Sequence, residues 1–372
     1  MNAARVVAVL HQLSLTGAPR LTLDILDAIQ GETSVRIVSW QGGPLVEAAR
    51  RLGPTVVLER EHVIGPLAGA SRRLRIIEQT ARLRRWKPEL VYVATVWALP
   101  PVKMLRLARA PVVLHVHELG SALAWFEKSY PGLILSIPDR YVAVSAAVAH
   151  DLVQLGVPSD AITVVPPCLR TSSQEALPPS TPIDRATVIV GGAGNPSWTK
   201  GIDLWLLAAR EAVDRLGADR LRFVWVGYRD NQEGLQFRAM ISKLGLDGVV
   251  ELVPETDQVH DHFARFDMFA MTSWEESASL VVLEAMAMGV PVICFAPTGG
   301  PAEEVGEAGV VIPEMSPGRM ADAIVALARS PHKRNAMGSA CADRAREEYG
   351  RAASLAALAK VFDAVITSPG RT

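Results

Sequence analysis

The stretch Thr272 to Pro291, TSWEESASLVVLEAMAMGVP, sets two carboxylates, Glu276 and Glu284, around the point where a polar turn gives way to an Ala/Leu/Met/Val run opening at about Ser279. A strand ending near Met271 followed by a helix would aim the helix N-terminus out from the carboxyl edge of a sheet, where open α/β sheets bind ligands. The N–H groups of Ser279, Leu280 and Val281 would then lack intrahelical partners, and the helix dipole favours an anion such as a phosphate at that end. A carboxylate beside a diphosphate would repel it. Glu276 in the loop and Glu284 about one and a half turns into the helix therefore suit hydroxyl donors, such as those of a sugar. The same spacing also fits a plain helix-start acid at Glu276 and a solvated acid at Glu284.

Val188 to Ile202 reads VIVGGAGNPSWTKGI, a strand running into a glycine turn with Lys200 just before a helix. Glycines let backbone approach a ligand closely, and a lysine ammonium at such a turn neutralises a diphosphate as a point charge. Taken alone, Lys200 is equally a surface lysine beside a helix. Gly299 and Gly300, in TGGPAEEV with Glu303, follow a strand at Pro291 to Phe295 and read either as a ligand-side turn or as a strand-to-helix turn with a capping acid. In the first half, a strand at Arg5 to Leu10 leads into His11 and then Leu15-Thr16-Gly17-Ala18-Pro19, with a helix opening near Leu21. The strand Val112 to Val116 ends in His115-Val116-His117-Glu118. Strand alternation sends His115 and His117 to one face. A zinc site there would need a third ligand, none is evident, and no metal site is expected.

These motifs resemble the donor site of the GT4 family of retaining GT-B glycosyltransferases. The pattern E-x7-E from Glu276 to Glu284, followed by Ala285, Met286, Gly289, Val290 and Pro291, carries the resemblance, which spans nearly the whole chain. It implies an α/β fold of two Rossmann-like parallel-sheet domains facing a central cleft, with a C-terminal helix crossing back to the N-terminal domain. It also implies retaining, metal-independent transfer from a nucleoside diphosphate sugar, used as co-substrate with no other cofactor, to an acceptor hydroxyl in glycan, glycolipid or glycosylated-metabolite biosynthesis. In the family, Glu276 would lie against the donor sugar and Glu284 on the nucleotide ribose. Lys200 would be the phosphate clamp of an R-x4-K-G pattern, His117 would sit beneath the sugar, and Gly17 would approach the donor phosphates. Glu303 matches a G-G-x-x-E segment near the donor. By this resemblance the catalytic residues are His117, Lys200 and Glu276, and the donor-binding residues are Gly17, Asn195, Ser279, Leu280, Val281, Glu284 and Glu303.

The chain departs from the family pattern in three places. Asn195 stands where the family has arginine, Glu276-Ser277-Ala278-Ser279 replaces E-G-F-G, and only Gly17 of a glycine pair remains. With Lys200 as the one cation of its motif, leaving-group stabilisation leans on it and on the helix N-terminus. Arg229 in VGYRD is a candidate for the missing charge.

The elements that must hold these residues follow from a rhythm of short Val/Ile-rich runs and longer Ala/Leu/Arg-rich segments, the pattern of βα units feeding a parallel sheet. Strands are expected at Arg5 to Leu10, Ser34 to Ser39, Thr55 to Leu58, Leu90 to Ala94, Val112 to Val116, Arg140 to Val144 and Ile162 to Val165. A second series is expected at Ala186 to Val190, Arg222 to Val226, Val249 to Leu252, Met268 to Met271, Pro291 to Phe295 and Val310 to Ile312. Between them, PCLRTSSQEALPPSTP at Pro167 to Pro182 is linker chemistry. The expected organisation is an acceptor-binding domain at 1–170, a linker at 171–185, a donor-binding domain at 186–345, and a helix and tail at 346–372 packing toward the first domain.

A chain of 372 residues is long for one core and sufficient for two α/β domains with a cleft between them. Apolar residues make up 49% and aromatics 6%, which suits Val/Ile/Leu strands covered by Ala/Leu helices. The 38 basic and 39 acidic side chains nearly cancel, removing the field that a general nucleic-acid binder uses. Cys168, Cys294 and Cys341 match no zinc or redox spacing, as in a reducing compartment. The opening MNAARVVAVL is too short an apolar run for a secretion signal, and Leu280 to Ala296 is broken by Glu284, Gly289 and Pro291, so a cytoplasmic protein is expected. The segment 72–87 interleaves Arg72, Arg73, Arg75, Arg82, Arg84, Arg85 and Lys87 with Leu74, Ile76, Ile77, Leu83 and Trp86. It reads either as a basic amphipathic helix making peripheral contact with the inner face of an anionic membrane or as a solvated face whose apolar side covers the sheet. Two rival functions remain at this point. A nicotinamide-dependent oxidoreductase needs G-x-G-x-x-G, and Gly192-Ala193-Gly194-Asn195-Pro196-Ser197 fails at its last position. A non-catalytic sugar-nucleotide-binding protein is left open by Asn195.

Overall fold

The Val/Ile-rich runs become strands buried on both faces, as parallel sheets between helix layers require: Leu90–Val93, Val112–Val116 and Met268–Met271 are buried throughout. The computed structural model describes residues 4–31, 33–59, 66–169 and 187–367. They fall into two compact units, Met1–Pro166 with Ser354–Thr372, and Pro167–Ala353. The linker expected at 171–185 lies outside the described residues.

The first unit holds β1 (Ala4–Leu10), β2 (Thr33–Ser39), β3 (Thr55–Val57), β4 (Leu90–Val93), β5 (Val112–Val116), β6 (Arg140–Ala143) and β7 (Ile162–Val164), paired in the order β3-β2-β1-β4-β5-β6-β7. The second holds β8 (Val188–Ala193), β9 (Leu221–Tyr228), β10 (Val250–Pro254), β11 (Met268–Met271), β12 (Val292–Phe295) and β13 (Val310–Ile312), in the order β10-β9-β8-β11-β12-β13. All of these strand pairings are parallel. Each sheet winds outward in one direction and then restarts beside its first strand, so a topological switch point opens between β1 and β4 and another between β8 and β11. Loops leaving the carboxyl ends of those strands diverge there and leave room for a ligand.

Every expected strand is present, with one instructive shift in a strand and another in the first helix. The strand expected at Ala186 to Val190 is β8, which begins at Val188 and continues through Gly191 and Gly192 to Ala193. These glycines lie in the strand rather than in a turn because aromatic rings occupy the space of their missing side chains. A Cβ on Gly191 would fall 2.1 Å from the Phe266 ring, and one on Gly192 would fall 2.7 Å from Trp225 and 2.8 Å from Trp205. The first helix opens at Gly17 rather than near Leu21, running Gly17–Ala28. Pro19 sits in its first turn, where the missing N–H has no partner to lose.

The terminal helix Arg351–Thr367 carries Phe362, whose ring meets Tyr92 of β4 edge-on with centroids 5.3 Å apart. Among the described residues no helix is long and apolar enough to cross a membrane. The three cysteines are buried free thiols.

In the second unit, Trp205 on the helix Ile202–Leu216 forms the centre of the core, making edge contacts with Phe223 at 5.4 Å and Trp225 at 5.3 Å. Trp205→Ala should destabilise the protein by about 3–5 kcal/mol in chemical denaturation, because the ring fills space that surrounding aromatics cannot collapse into. A loss below about 1 kcal/mol would show that this core is not organised around it.

Candidate active site

At the carboxyl edge of the second sheet, the turn after β8 and the loop after β11 are stitched together by one backbone bond and one from a hydroxyl. Trp274 N–H donates to Thr199 O at 2.9 Å, and the Thr272 hydroxyl donates to Gly201 O at 3.0 Å. Gly201 is left-handed (φ +59°), and a Cβ there would lie 1.9 Å from Thr272 O, so the approach requires glycine. This stitching brings the Lys200 ammonium onto the Glu276 carboxylate as an ion pair, with side chains 24% and 15% exposed. The Ser273 hydroxyl donates to the same Glu276 oxygen at 3.2 Å. Trp198 and Trp274 stack beside the pair, 6.2 Å apart and 5° from parallel.

The loop after β12 closes the other side. Glu276 N–H donates to Thr298 O and Gly300 N–H to Glu276 O, both at 2.9 Å, while the Thr298 hydroxyl donates to Ser273 O at 2.7 Å. A Cβ on Gly300 would lie 2.2 Å from Ser277 O. The double glycine at 299–300 therefore serves the contact between two loops. Lys200, Glu276 and the Gly299–Gly300 turn thus meet at the ends of the adjacent strands β8, β11 and β12.

The helix Leu280–Ala287 begins where the sequence places it, with Ser279 as its N-cap. One of its three expected open donors is taken: Ser279 N–H donates to Glu304 Oε1 at 2.7 Å. Among the described residues, the N–H groups of Leu280 and Val281 have no acceptor. Glu304 is only 2% exposed, and its second oxygen is buried without a hydrogen-bond partner. Burial raises its carboxyl well above the usual range, reinforced by the nearby Glu276 and Glu303 charges. Glu284 lies inside the helix with its side chain buried.

In the first unit, Gly17 opens its helix in the exposed loop after β1, and His115 and His117 share a face as alternation requires, with ring centroids 4.2 Å apart. The Tyr92 hydroxyl and His115 Nδ1 lie 2.7 Å apart, which commits His115 to a packed role. Desolvation pushes His117 down to about 4, so its imidazole is neutral at ordinary pH. Glu118 binds the Thr95 hydroxyl and accepts from the N–H groups of His117 at 3.1 Å and Val96 at 3.4 Å, tying the ends of β4 and β5 together.

Two family profiles match the chain: "Glycosyltransferase Family 4" over residues 15–173 and "Glycosyl transferases group 1" over residues 185–330. The chain belongs to the GT4 glycosyltransferases. Among relatives, a D-inositol 3-phosphate glycosyltransferase 2 of Catenulispora acidiphila is 29% identical over 280 residues, 68% of this chain and 65% of that one. A D-inositol 3-phosphate glycosyltransferase of Kineococcus radiotolerans is 28% identical over 256 residues, 62% of this chain and 58% of that one. The chain therefore spans 58–65% of the length of these curated relatives. HepE of Anabaena, solved in complex with UDP and glucose, is 18% identical with a TM-score of 0.78, covering 97% of this chain and 100% of its own. A glycosyltransferase from Rickettsia africae is 14% identical with a TM-score of 0.76, covering 99% and 100%. The fold is GT-B.

Within this GT4 chain, the departures read from the sequence have definite positions. Asn195 is exposed in the turn ahead of Lys200. Arg229, the candidate for the missing charge, forks onto Glu255 with bonds of 2.8 and 2.9 Å. Glu303 offers its backbone carbonyl to Arg344 at 2.9 Å and stays partly exposed, while its neighbour Glu304 turns inward. Glu304 and the Trp198–Trp274 stack were not singled out from sequence. The doubled acid of AEEV and the repeated Ser-Trp of SWTK and SWEE are the only signals that pointed to them.

Glu304 holds its proton in the folded protein above the ordinary carboxyl value of 4.5, whereas the unfolded chain releases it there. Stability is therefore lost as pH rises above that value toward the folded one. Glu304→Gln keeps an oxygen for Ser279 N–H and removes the titration, so its melting temperature should gain on the wild type over the range in which pH rises above 4.5. Parallel melting curves for the two proteins across that range would contradict a buried neutral carboxyl.

Proposed function

We propose that this chain transfers a sugar, with retention and without a metal, from a nucleoside diphosphate sugar to an acceptor hydroxyl. The observation that carries the reading is the arrangement at the β8–β11 switch point: the Lys200 ammonium, the Glu276 carboxylate and the open N–H groups of Leu280 and Val281. As the bond from the sugar's anomeric carbon to the diphosphate oxygen breaks, negative charge grows on the leaving group. The two N–H groups are open to meet it, and Lys200 meets it once Glu276 has given it up. The acceptor oxygen bonds to the anomeric carbon on the face the diphosphate leaves, and the acceptor's proton passes to the departing phosphate. Glu276, displaced from Lys200 by the incoming phosphate, is then free to accept from sugar hydroxyls, and Glu284 is assigned to the ribose. The neutral His117 imidazole is assigned to orient the sugar, with Gly17 approaching the phosphates.

The UDP and glucose bound to HepE, and the inositol phosphate named in the curated relatives, favour a UDP-type donor and a polyol acceptor for this chain too. A cytoplasmic site of action, with peripheral contact to the inner face of an anionic membrane through the segment 72–87, belongs to the same reading. A nicotinamide cofactor is disfavoured because Gly192-Ala193-Gly194-Asn195-Pro196-Ser197 lacks the last glycine of G-x-G-x-x-G, which close helix–strand packing in a dinucleotide site uses. A binding protein without catalysis is the second reading, resting on the exposed Asn195 where the family has arginine.

Thermal-shift titration with UDP, GDP, ADP, dTDP and NAD should show stabilisation by at least one diphosphate; a response to NAD alone would sink the proposal. With the productive donor, Lys200→Ala should lower kcat by on the order of 10²–10³, the usual loss when a preorganised charge partner of the leaving group is removed. Unchanged turnover would place the leaving group elsewhere.

A further inference from the structure

The helix Pro66–Trp86 is built unlike the other sheet-covering helices. It buries Gln79 and Leu83 against the first sheet, yet its opposite face carries Leu74 at 68% and Ile77 at 66% exposure, the highest among the large hydrophobic side chains of the described residues. Ala81, Arg84 and Arg85 are exposed as well, and their spacing of three and four residues continues the same face. The side chains of Arg72 and Arg73 lie outside the described residues.

Between this helix and the β2–β3 edge opens a cavity of about 490 Å³, whose polar lining includes Arg36, Gln79, Arg82 and Arg85 beside Trp86. The Arg36 guanidinium lies 4.6 Å over the Trp86 ring. Arg82 pairs with Glu78 at 2.7 Å, but no carboxylate lines the cavity, and among the described residues Arg36 and Arg85 have no acidic partner. Guanidinium groups gathered without counter-charge repel one another, and the fork of each matches two oxygens of a phosphate. Trp86 supplies the half-apolar ring that suits a polar–apolar boundary.

We propose that this cavity seats the phosphate of an anionic lipid headgroup while Leu74 and Ile77 enter the bilayer interface. The inference rests on the membrane contact proposed above and gives that contact a seat and a ligand. Apolar insertion together with guanidinium–phosphate pairing supplies the two signals that stable peripheral binding needs.

The test is cosedimentation of the full chain, without donor, with vesicles of a zwitterionic phospholipid alone or mixed with an anionic phospholipid. Binding should require the anionic lipid. Arg36→Glu and Arg85→Glu should each weaken it by at least about fivefold, the factor for one basic residue near such a surface. Leu74→Ser with Ile77→Ser should also weaken it. Inorganic phosphate should release more protein than sodium chloride of equal ionic strength. Equal binding to both vesicle types, no binding to either, undiminished binding of the two arginine variants, or equal release by the two salts would each overturn the proposal. Circular dichroism melts exclude unfolding as the cause, and the milder Arg85→Gln, exposed on the helix, gives a second reading if Arg36→Glu fails to fold. Nucleoside-diphosphate thermal shifts on the same variants separate a failure here from a failure of the transferase reading: loss of vesicle binding with those shifts intact belongs to this surface alone.

Discussion

The Lys200 ammonium and the Glu276 carboxylate stand 76 residues apart in the chain and meet only because β8 and β11 are neighbours in the second sheet. A strand order that restarts beside its first strand sends the two following loops to opposite sides and leaves the space between them open. Backbone hydrogen bonds from Trp274 to Thr199 and from Glu276 to Thr298 then fix those loops before any side chain chooses a partner. The ion pair sits within that scaffold. Two opposite charges at a partly buried edge are well matched to each other, so in the proposed function an incoming diphosphate competes directly with Glu276 for Lys200. In the proposed reaction the pair is a resting contact, in which each charge satisfies the other until donor phosphate takes one and sugar hydroxyls take the other.

Backbone proximity enforces the same economy around the site. Gly201 and Gly300 each bring a loop within a distance that no Cβ would allow, at Thr272 O and Ser277 O respectively. Glu304 performs a comparable service from below. Its carboxyl holds the Ser279 N–H, so the first turn of the helix Leu280–Ala287 presents Leu280 and Val281 as its open donors. The helix bearing Glu304 is itself anchored by Arg344, which donates to the carbonyls of Glu303 and Glu304 at 2.9 Å. A neutral buried acid at this position tightens the turn without placing negative charge beside the open N–H groups of Leu280 and Val281.

Much of this was legible from sequence, and the reasons are physical. Parallel strands buried on both faces must be written as uninterrupted Val/Ile runs, so both sheets could be located before their pairing was known. The start of the helix at Ser279 was visible because a polar turn abuts an apolar run there. What stayed hidden depended on which way single residues face. Glu303 and Glu304 are adjacent on a helix, about 100° apart, and only the packing beneath Ser279 selects Glu304. Gly191 and Gly192 look like turn residues until Phe266, Trp205 and Trp225 are seen filling their space. Arg229 looks like spare charge until Glu255, from a neighbouring strand's end, claims it.

If Glu276 occupies Lys200 only until donor arrives, removing its charge should free the ammonium for phosphate. Isothermal titration with the nucleoside diphosphate that binds best should then show tighter binding by Glu276→Gln than by the wild type, and weaker binding by Lys200→Ala. A Glu276→Gln protein that binds the diphosphate no more tightly than the wild type would contradict the competition between carboxylate and phosphate for Lys200.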